Sequence, residues 1–186
     1  MATPHSTANY VPSGRGILYI AEWEATTPPT WPGDFTEVGN CPAFTAEPTV
    51  EKRPHYSSRS GLRMRDLNPT VQTEYNISFD TDEIAAVNLA RFFMGEVAAD
   101  GSIAALAVAD KEYALRFISN NPIGPNATYK FHRVTLGPSG PLQLIGDDYL
   151  VMSFAGEGLA DITNNASSPY FTIETATTTT TTTVSA

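Results

Sequence analysis

The sequence is poor in cysteine, in positive charge and in long apolar runs. It has one cysteine, Cys41, in 186 residues, so no disulfide can form within the chain. A small thiol with no paired partner in the sequence reads as a buried packing residue. The three histidines, His5, His55 and His132, fall in an arm, a loop and a strand. None has the spacing to share a metal with Cys41, so no metal and no cofactor is expected. No stretch of 18 apolar residues occurs, and no membrane helix is expected. The opening MATPHSTANYVPSG lacks the basic start and apolar centre of a secretory leader, which predicts a protein made and assembled in the cytoplasm. Neither G-x-S-x-G, a P-loop nor G-x-G-x-x-G is present, and adjacent Asp147 and Asp148 would point to opposite strand faces. These absences predict that the protein is not an enzyme.

Lysine and arginine total 11 against 20 acids, for a net charge of -9. A chain this acidic repels nucleic acid unless it confines a basic patch. Such a patch exists. Lys52, Arg53, Arg59, Arg63 and Arg65, five of the 11 cations, lie within EKRPHYSSRSGLRMRDLNP, residues 51–69.

The 13 glycines and 14 prolines sit between short apolar runs, which favours strands and turns. Strands are expected at 16–23, 112–119, 128–136 and 148–156, with shorter ones at LQLIG (142–146) and 170–174. Alternation is clearest in two segments. In 43–51, Phe44, Ala46, Pro48 and Val50 share one face, and Thr45, Glu47, Thr49 and Glu51 the other. In 71–80, Val71, Tyr75, Ile77 and Phe79 oppose Gln72, Glu74, Asn76, Ser78 and Asp80. Period two with one wet face predicts half-buried antiparallel strands. They form a long hairpin connected by a loop over 52–70, expected to be mobile in a free monomer. One helix is expected over 81–94, begun by a capping box of Asp80 and Glu83 and ended at Gly95. Its stripe of Ala85, Ala86, Leu89, Phe92 and Phe93 reads as core. The predicted fold is mainly β, a β-sandwich or open barrel of about eight strands with one flanking α-helix. The predicted units are an N-terminal arm (1–15), a domain (16–175) and a Thr-rich tail (176–186) whose seven threonines, 177–183, carry no apolar face.

RGILYIAEW after an arm, FTEVGNCPAFTAEPTVEKRPH leading into a long loop, NISFDTDEIAAVNLARFFMGEV running strand into helix, and DDYLVMSFAGEGLADIT near the end are carried together by this chain. In this arrangement it resembles the major tail tube proteins of long-tailed, non-contractile bacteriophages. The resemblance implies a structural virion protein, a homo-oligomer of hexameric rings stacked into a helical tube. It implies a lumen that conducts phage DNA without sequence-specific binding, and tape-measure, tail-tip and terminator proteins as partners. The lumen face implied here is the polar side of the hairpin: Glu47, Thr49, Glu51, Gln72, Glu74 and Asn76. Lys52, Arg53, Arg59, Arg63 and Arg65 are then expected to contact acids on a neighbouring subunit. The poly-Thr tail has no counterpart in that family. The alternative reading is a β-sandwich binding module, a carbohydrate-binding or adhesin domain or a virion decoration protein, with Trp23 and Trp31 stacking on sugars.

Overall fold

In the computed structural model the described residues are 10–11, 14–59, 61–108 and 111–175. The Thr-rich tail and nearly all of the N-terminal arm lie outside them. The fold is mainly β with one helix. The strands are β1 (Gly16–Glu22), β2 (Thr36–Glu37), β3 (Ala43–Lys52), β4 (His55–Ser57), β5 (Met64–Leu67) and β6 (Thr70–Thr81). After helix α1 (Ala86–Phe92) come β7 (Glu96–Val97), β8 (Ile103–Ala104), β9 (Glu112–Ser119), β10 (Ala127–Pro138), β11 (Met152–Gly158) and β12 (Phe171–Thr175). Eight strands form one antiparallel sheet in the order β2-β1-β9-β10-β11-β6-β3, with β12 beside β10. β4–β5 and β7–β8 are separate small hairpins.

The alternation seen in the sequence places Tyr75, Ile77 and Phe79 of β6 inward, each at most 3% exposed. They meet Leu18 and Ile20 of β1, Leu115 of β9, Phe131 and Val134 of β10, and Met152 and Phe154 of β11 in one core. Phe44 on edge strand β3 stacks on Phe117 of β9, with ring centroids 5.2 Å apart. The sheet therefore curls until its edge reaches its middle, without closing into a barrel. The bend is made in β10. A register shift between Phe131 and Val134 lets both face the core, three residues apart. Before the shift β12 pairs with β10, and after it β11 does. A bulge turns a strand in this way. Gly158 is required where β11 passes Tyr75, because a Cβ there would sit inside the phenol ring.

The helix is shorter than expected. It spans Ala86–Phe92 rather than 81–94, and the Asp80–Glu83 capping box does not form. Asp80 and Thr81 continue β6 opposite Ser153 and Met152, with Thr81 wholly buried. Asp82 is then held by Asn40, whose Nδ2 donates to both carboxylate oxygens at 2.8 Å. Long-range pairing thus outweighs the local start signal. The segment before α1 is fixed by Asn88, which donates to the Glu83 carbonyl and to that of Val38. Ala85, at the N-cap, and Ala86 are both exposed, not core. Phe92 is buried, and Leu89 and Phe93 are half-buried against it. At the far end Met94, not Gly95, takes the left-handed backbone (φ 47°).

Two further expectations are corrected. Residues 52–70 are not an irregular loop. β3 and β6 run to Lys52 and Thr70, and β4–β5 continue the hairpin outward. LQLIG is not a strand: Pro141 precedes it, Gln143 Nε2 donates to the Ile145 carbonyl, and Leu144 and Ile145 are exposed.

Candidate assembly surfaces

The six residues expected to share a polar face are brought together as three cross-strand pairs: Glu47–Asn76, Thr49–Glu74 and Glu51–Gln72. All six are exposed, and Gln72 donates to Glu74 on its own strand. The face continues onto strands that the sequence did not link to the hairpin. Row by row, Glu47–Asn76 extends to Glu157 and Thr135, and Thr45–Ser78 to Ala155 and Gly137. Glu157, Thr135 and Ser153 were missed as members of this face. The alternation in FAGEG, with Phe154, Gly156 and Gly158 opposing Ala155 and Glu157, was the available signal. The outer face of β3, β6, β11 and the end of β10 holds Glu47, Glu51, Glu74, Asp80 and Glu157 and no lysine or arginine. Its other residues are small or neutral, and several of them, with Glu47 and Glu157, line a shallow trough of about 610 Å³.

The cations gather elsewhere. Pro48–Tyr75 is the last pair of the hairpin with a buried member. Beyond it the chain projects as an arm. Eleven residues, 49–59, would reach ~36 Å if straight at ~3.3 Å each. The arm is internally ordered. Arg63 and Arg65 lie over the Tyr56 ring, 5.2 and 5.7 Å from its centroid, and Arg65 also reaches the Tyr56 hydroxyl at 3.4 Å. His55 Nδ1 and Asp66 Oδ1 are 2.6 Å apart, and that hydrogen bond holds the Asp66 carboxyl below its usual range. Lys52, Arg53, Arg59, Arg63 and Arg65 are all exposed, and no salt bridge forms to any of them among the described residues. Leu62, Met64 and Leu67 are exposed beside them.

Both tryptophans are occupied by guanidinium groups. Arg133 lies 4.4 Å from the Trp23 centroid and is itself held by Glu112 at 2.6 and 2.7 Å. Arg116 lies 4.3 Å from that of Trp31. Cys41 is partly buried near Asp82, Asp80, Glu37 and Glu83. Burial first, and those carboxylates second, push its thiol up to about 12. At pH 8 it stays protonated, so alkylation by iodoacetamide is expected to be far slower than in the unfolded chain, whose thiol ionises near ~8.5. Because the folded state holds this proton longer, the group's contribution to stability falls as pH rises from about 9 towards 12. Labelling at the unfolded rate would refute the burial. No group of three His, Cys, Asp or Glu suited to a metal occurs among the described residues.

Residues 11–102 and 96–174 match a family described as Protein of unknown function UCP028589. No curated protein matches the chain. Among solved structures, the chain is similar to one in "Cryo-EM structure of the anti-feeding prophage (AFP) baseplate, 6-fold symmetrised". The TM-score is 0.46 at 12% identity, covering 84% of this chain and 92% of that one. It is also similar to a chain of "Tail of empty GTA particle computed with helical refinement, C6 symmetry", with a TM-score of 0.36 at 13% identity, covering 75% and 89%. Those two structures are six-fold-symmetric baseplate and tail assemblies.

Proposed function

The chain belongs to the family described as Protein of unknown function UCP028589, and we propose that it works as a structural subunit of a phage-type tail. In this reading six copies form a ring, rings stack into a tube, and the tube conducts a DNA genome. The observation that carries it is the separation of charge. The sheet face holds Glu47, Asp80 and Glu157 and no cation, and runs on into Glu74 and Glu51 at the base of the projecting arm, while five of the 11 cations stand on that arm. An acidic, smooth inner wall repels the phosphate backbone, so DNA slides without sticking. A basic arm gives acidic copies a complementary contact that they otherwise lack. Among the described residues β3 also leaves one edge of its ten-residue strand unpaired. Pairing that edge with a neighbour would remove an aggregation hazard and continue the sheet around a ring. The role is structural rather than catalytic. The protein would reside in the virion beside tape-measure, tip and terminator proteins, after assembly in the host cytoplasm.

The binding-module alternative gains no support from the tryptophans, since each already has a guanidinium over its ring. Negative-stain images of the concentrated protein are the direct test. Rings with a central pore, or tubes, are expected; monomers at every concentration would remove the reading.

Glu47→Lys with Glu74→Lys probes the wall. Both side chains are exposed, so tubes should form as before. Native tubes are expected to hold no DNA, whereas the variant should retain it at low salt and release it as salt rises. A density map with these residues on the outside of the tube would end the lumen assignment.

A further inference from the structure

Between the outer face of β9–β10 and the proline-rich segment 24–34 lies a cavity of about 230 Å³, lined in part by Trp23, Pro29, Phe35, Arg116 and Lys130. That is below the ~300–1,000 Å³ of ordinary small-molecule sites and suits one or two side chains. Arg116 is its chemical centre. The guanidinium lies against Trp31 and 5.6 Å from the Phe35 centroid, and among the described residues its buried Nε has no hydrogen-bond partner. Directly across the strands stands Lys130, and two like charges so placed destabilise a pair. Lys130 is answered by an ion pair with Glu174, which also lies near Arg116. Asp161 of the same cavity is taken up by Asn164 and Asn165. The Nε is covered, but no side-chain hydrogen bond is made by Arg116 among the described residues, so the terminal nitrogens of its part-buried guanidinium keep donors for an incoming carboxylate.

One segment of this chain has the matching chemistry. Residues 142–149, LQLIGDDY, join β10 to β11. Leu144, Ile145 and Tyr149 there are 75%, 92% and 93% exposed. The segment carries Asp147 and Asp148 and no cation. Clustered apolar exposure of this kind marks a contact surface. Leu142 packs against its own molecule's core, but Leu144, Ile145 and Tyr149 are exposed and do not fill its own molecule's cavity. The segment begins beyond Pro138, eight positions along β10 from Lys130 and past the bend at Phe131–Val134, at most ~26 Å at ~3.3 Å per residue.

We propose that segment 142–149 of one copy docks into the Arg116 cavity of the next, its apolar side chains against Trp23, Pro29 and Phe35 and an Asp147 or Asp148 carboxylate accepting from Arg116. The contact joins two different surfaces, so it is head-to-tail and repeats around a ring or along a filament. It rests on the self-assembly reading above and is independent of the basic arm.

The test replaces Tyr149 with the photo-crosslinking residue p-benzoylphenylalanine in the full chain, irradiates it at concentrations where copies associate, and maps adducts by mass spectrometry. Adducts between copies are expected on the peptides containing Trp23–Phe35 or Arg116–His132. Arg116→Glu alone, and Asp147→Lys with Asp148→Lys alone, should each lower them at least ten-fold. Mixing the two variants should restore them, since each then meets its opposite charge. The loop variant lies on exposed residues and tests the contact even if Arg116→Glu perturbs folding. Adducts on other surfaces, on the chain's own residues 1–9, or none between copies would overturn the proposal, as would variants that crosslink like the native chain. Rings seen in micrographs with adducts elsewhere remove this contact and leave the tube. Adducts in the cavity from a sample that never forms rings keep the contact and remove the tube.

Discussion

Phe92→Ala is expected to lower the unfolding free energy by ~3–5 kcal/mol, and Phe93→Ala by only ~1–2 kcal/mol. Sequence periodicity put both rings on one core stripe, but the structure separates them. Phe92 is 4% exposed and packs edge-on against Phe93 at 5.3 Å and Phe154 at 5.6 Å. It belongs to the same buried core as Ile20, Val38 and Phe79, so its loss leaves a cavity beneath the helix. Phe93 lies at the margin, where water and neighbours refill the space. Against a typical total of ~5–15 kcal/mol, the first change consumes a large share of stability. At ~2–4 °C per kcal/mol for a chain of this size, it should lower Tm by ~6–20 °C. Ala85→Ser, at the exposed N-cap, should stay within ~0.5 kcal/mol of native or gain slightly. Urea unfolding of the three variants checks the order. Equal losses at Phe92 and Phe93 would show that the helix does not seat as described.

The difference between these two rings shows where the sequence was legible and where it was not. A strand's faces follow from period two, and β6 obeyed it from Tyr75 to Thr81 without exception. The three pairs of the polar face followed too, because β3 and β6 are joined by their own hairpin. Partners brought from afar left no local trace. Nothing near Asp80 announces that Ser153 lies beside it, and that pairing shortened the helix. Glu157 joined the acidic face by the same route. The arm was misread for a different reason. Composition made 52–70 look unstructured, yet Tyr56 and Arg65 face each other across β4–β5 and Gly61 turns with φ 76°. Arginines alternating at 63 and 65, across the turn at Gly61 from Tyr56, were the signal for an ordered, cation-bearing hairpin. LQLIG erred in the opposite direction. Its apolar content suggested a strand, but among the described residues no strand pairs with it, and while Leu142 packs on the core, Leu144 and Ile145 stay in solvent.

Reversing Arg59, Arg63 and Arg65 to Glu is expected to stop assembly while leaving the monomer folded. All three are exposed and lie beyond the last hairpin pair that reaches the core, so the melting curve should shift by no more than ~0.5 kcal/mol. Assembly responds differently. One exposed ion pair is worth only ~0–1 kcal/mol, but each copy presents three cations, and a ring and its neighbour repeat the contact at every subunit. The Tyr56 ring fixes where Arg63 and Arg65 point, so less side-chain freedom is lost when they meet a carboxylate. Reversal removes that attraction and adds repulsion. Each substitution shifts the charge by two, so three take the subunit from a net -9 to -15. Turbidity and micrographs at fixed concentration read the loss. Two controls isolate the charge. Arginine-to-lysine substitution at the same three positions should retain most assembly, and added salt should weaken native assembly while partly relieving the Glu variant. Tubes from the Glu variant matching the native ones would mean that the arm's cations are a solvated surface with no part in joining copies.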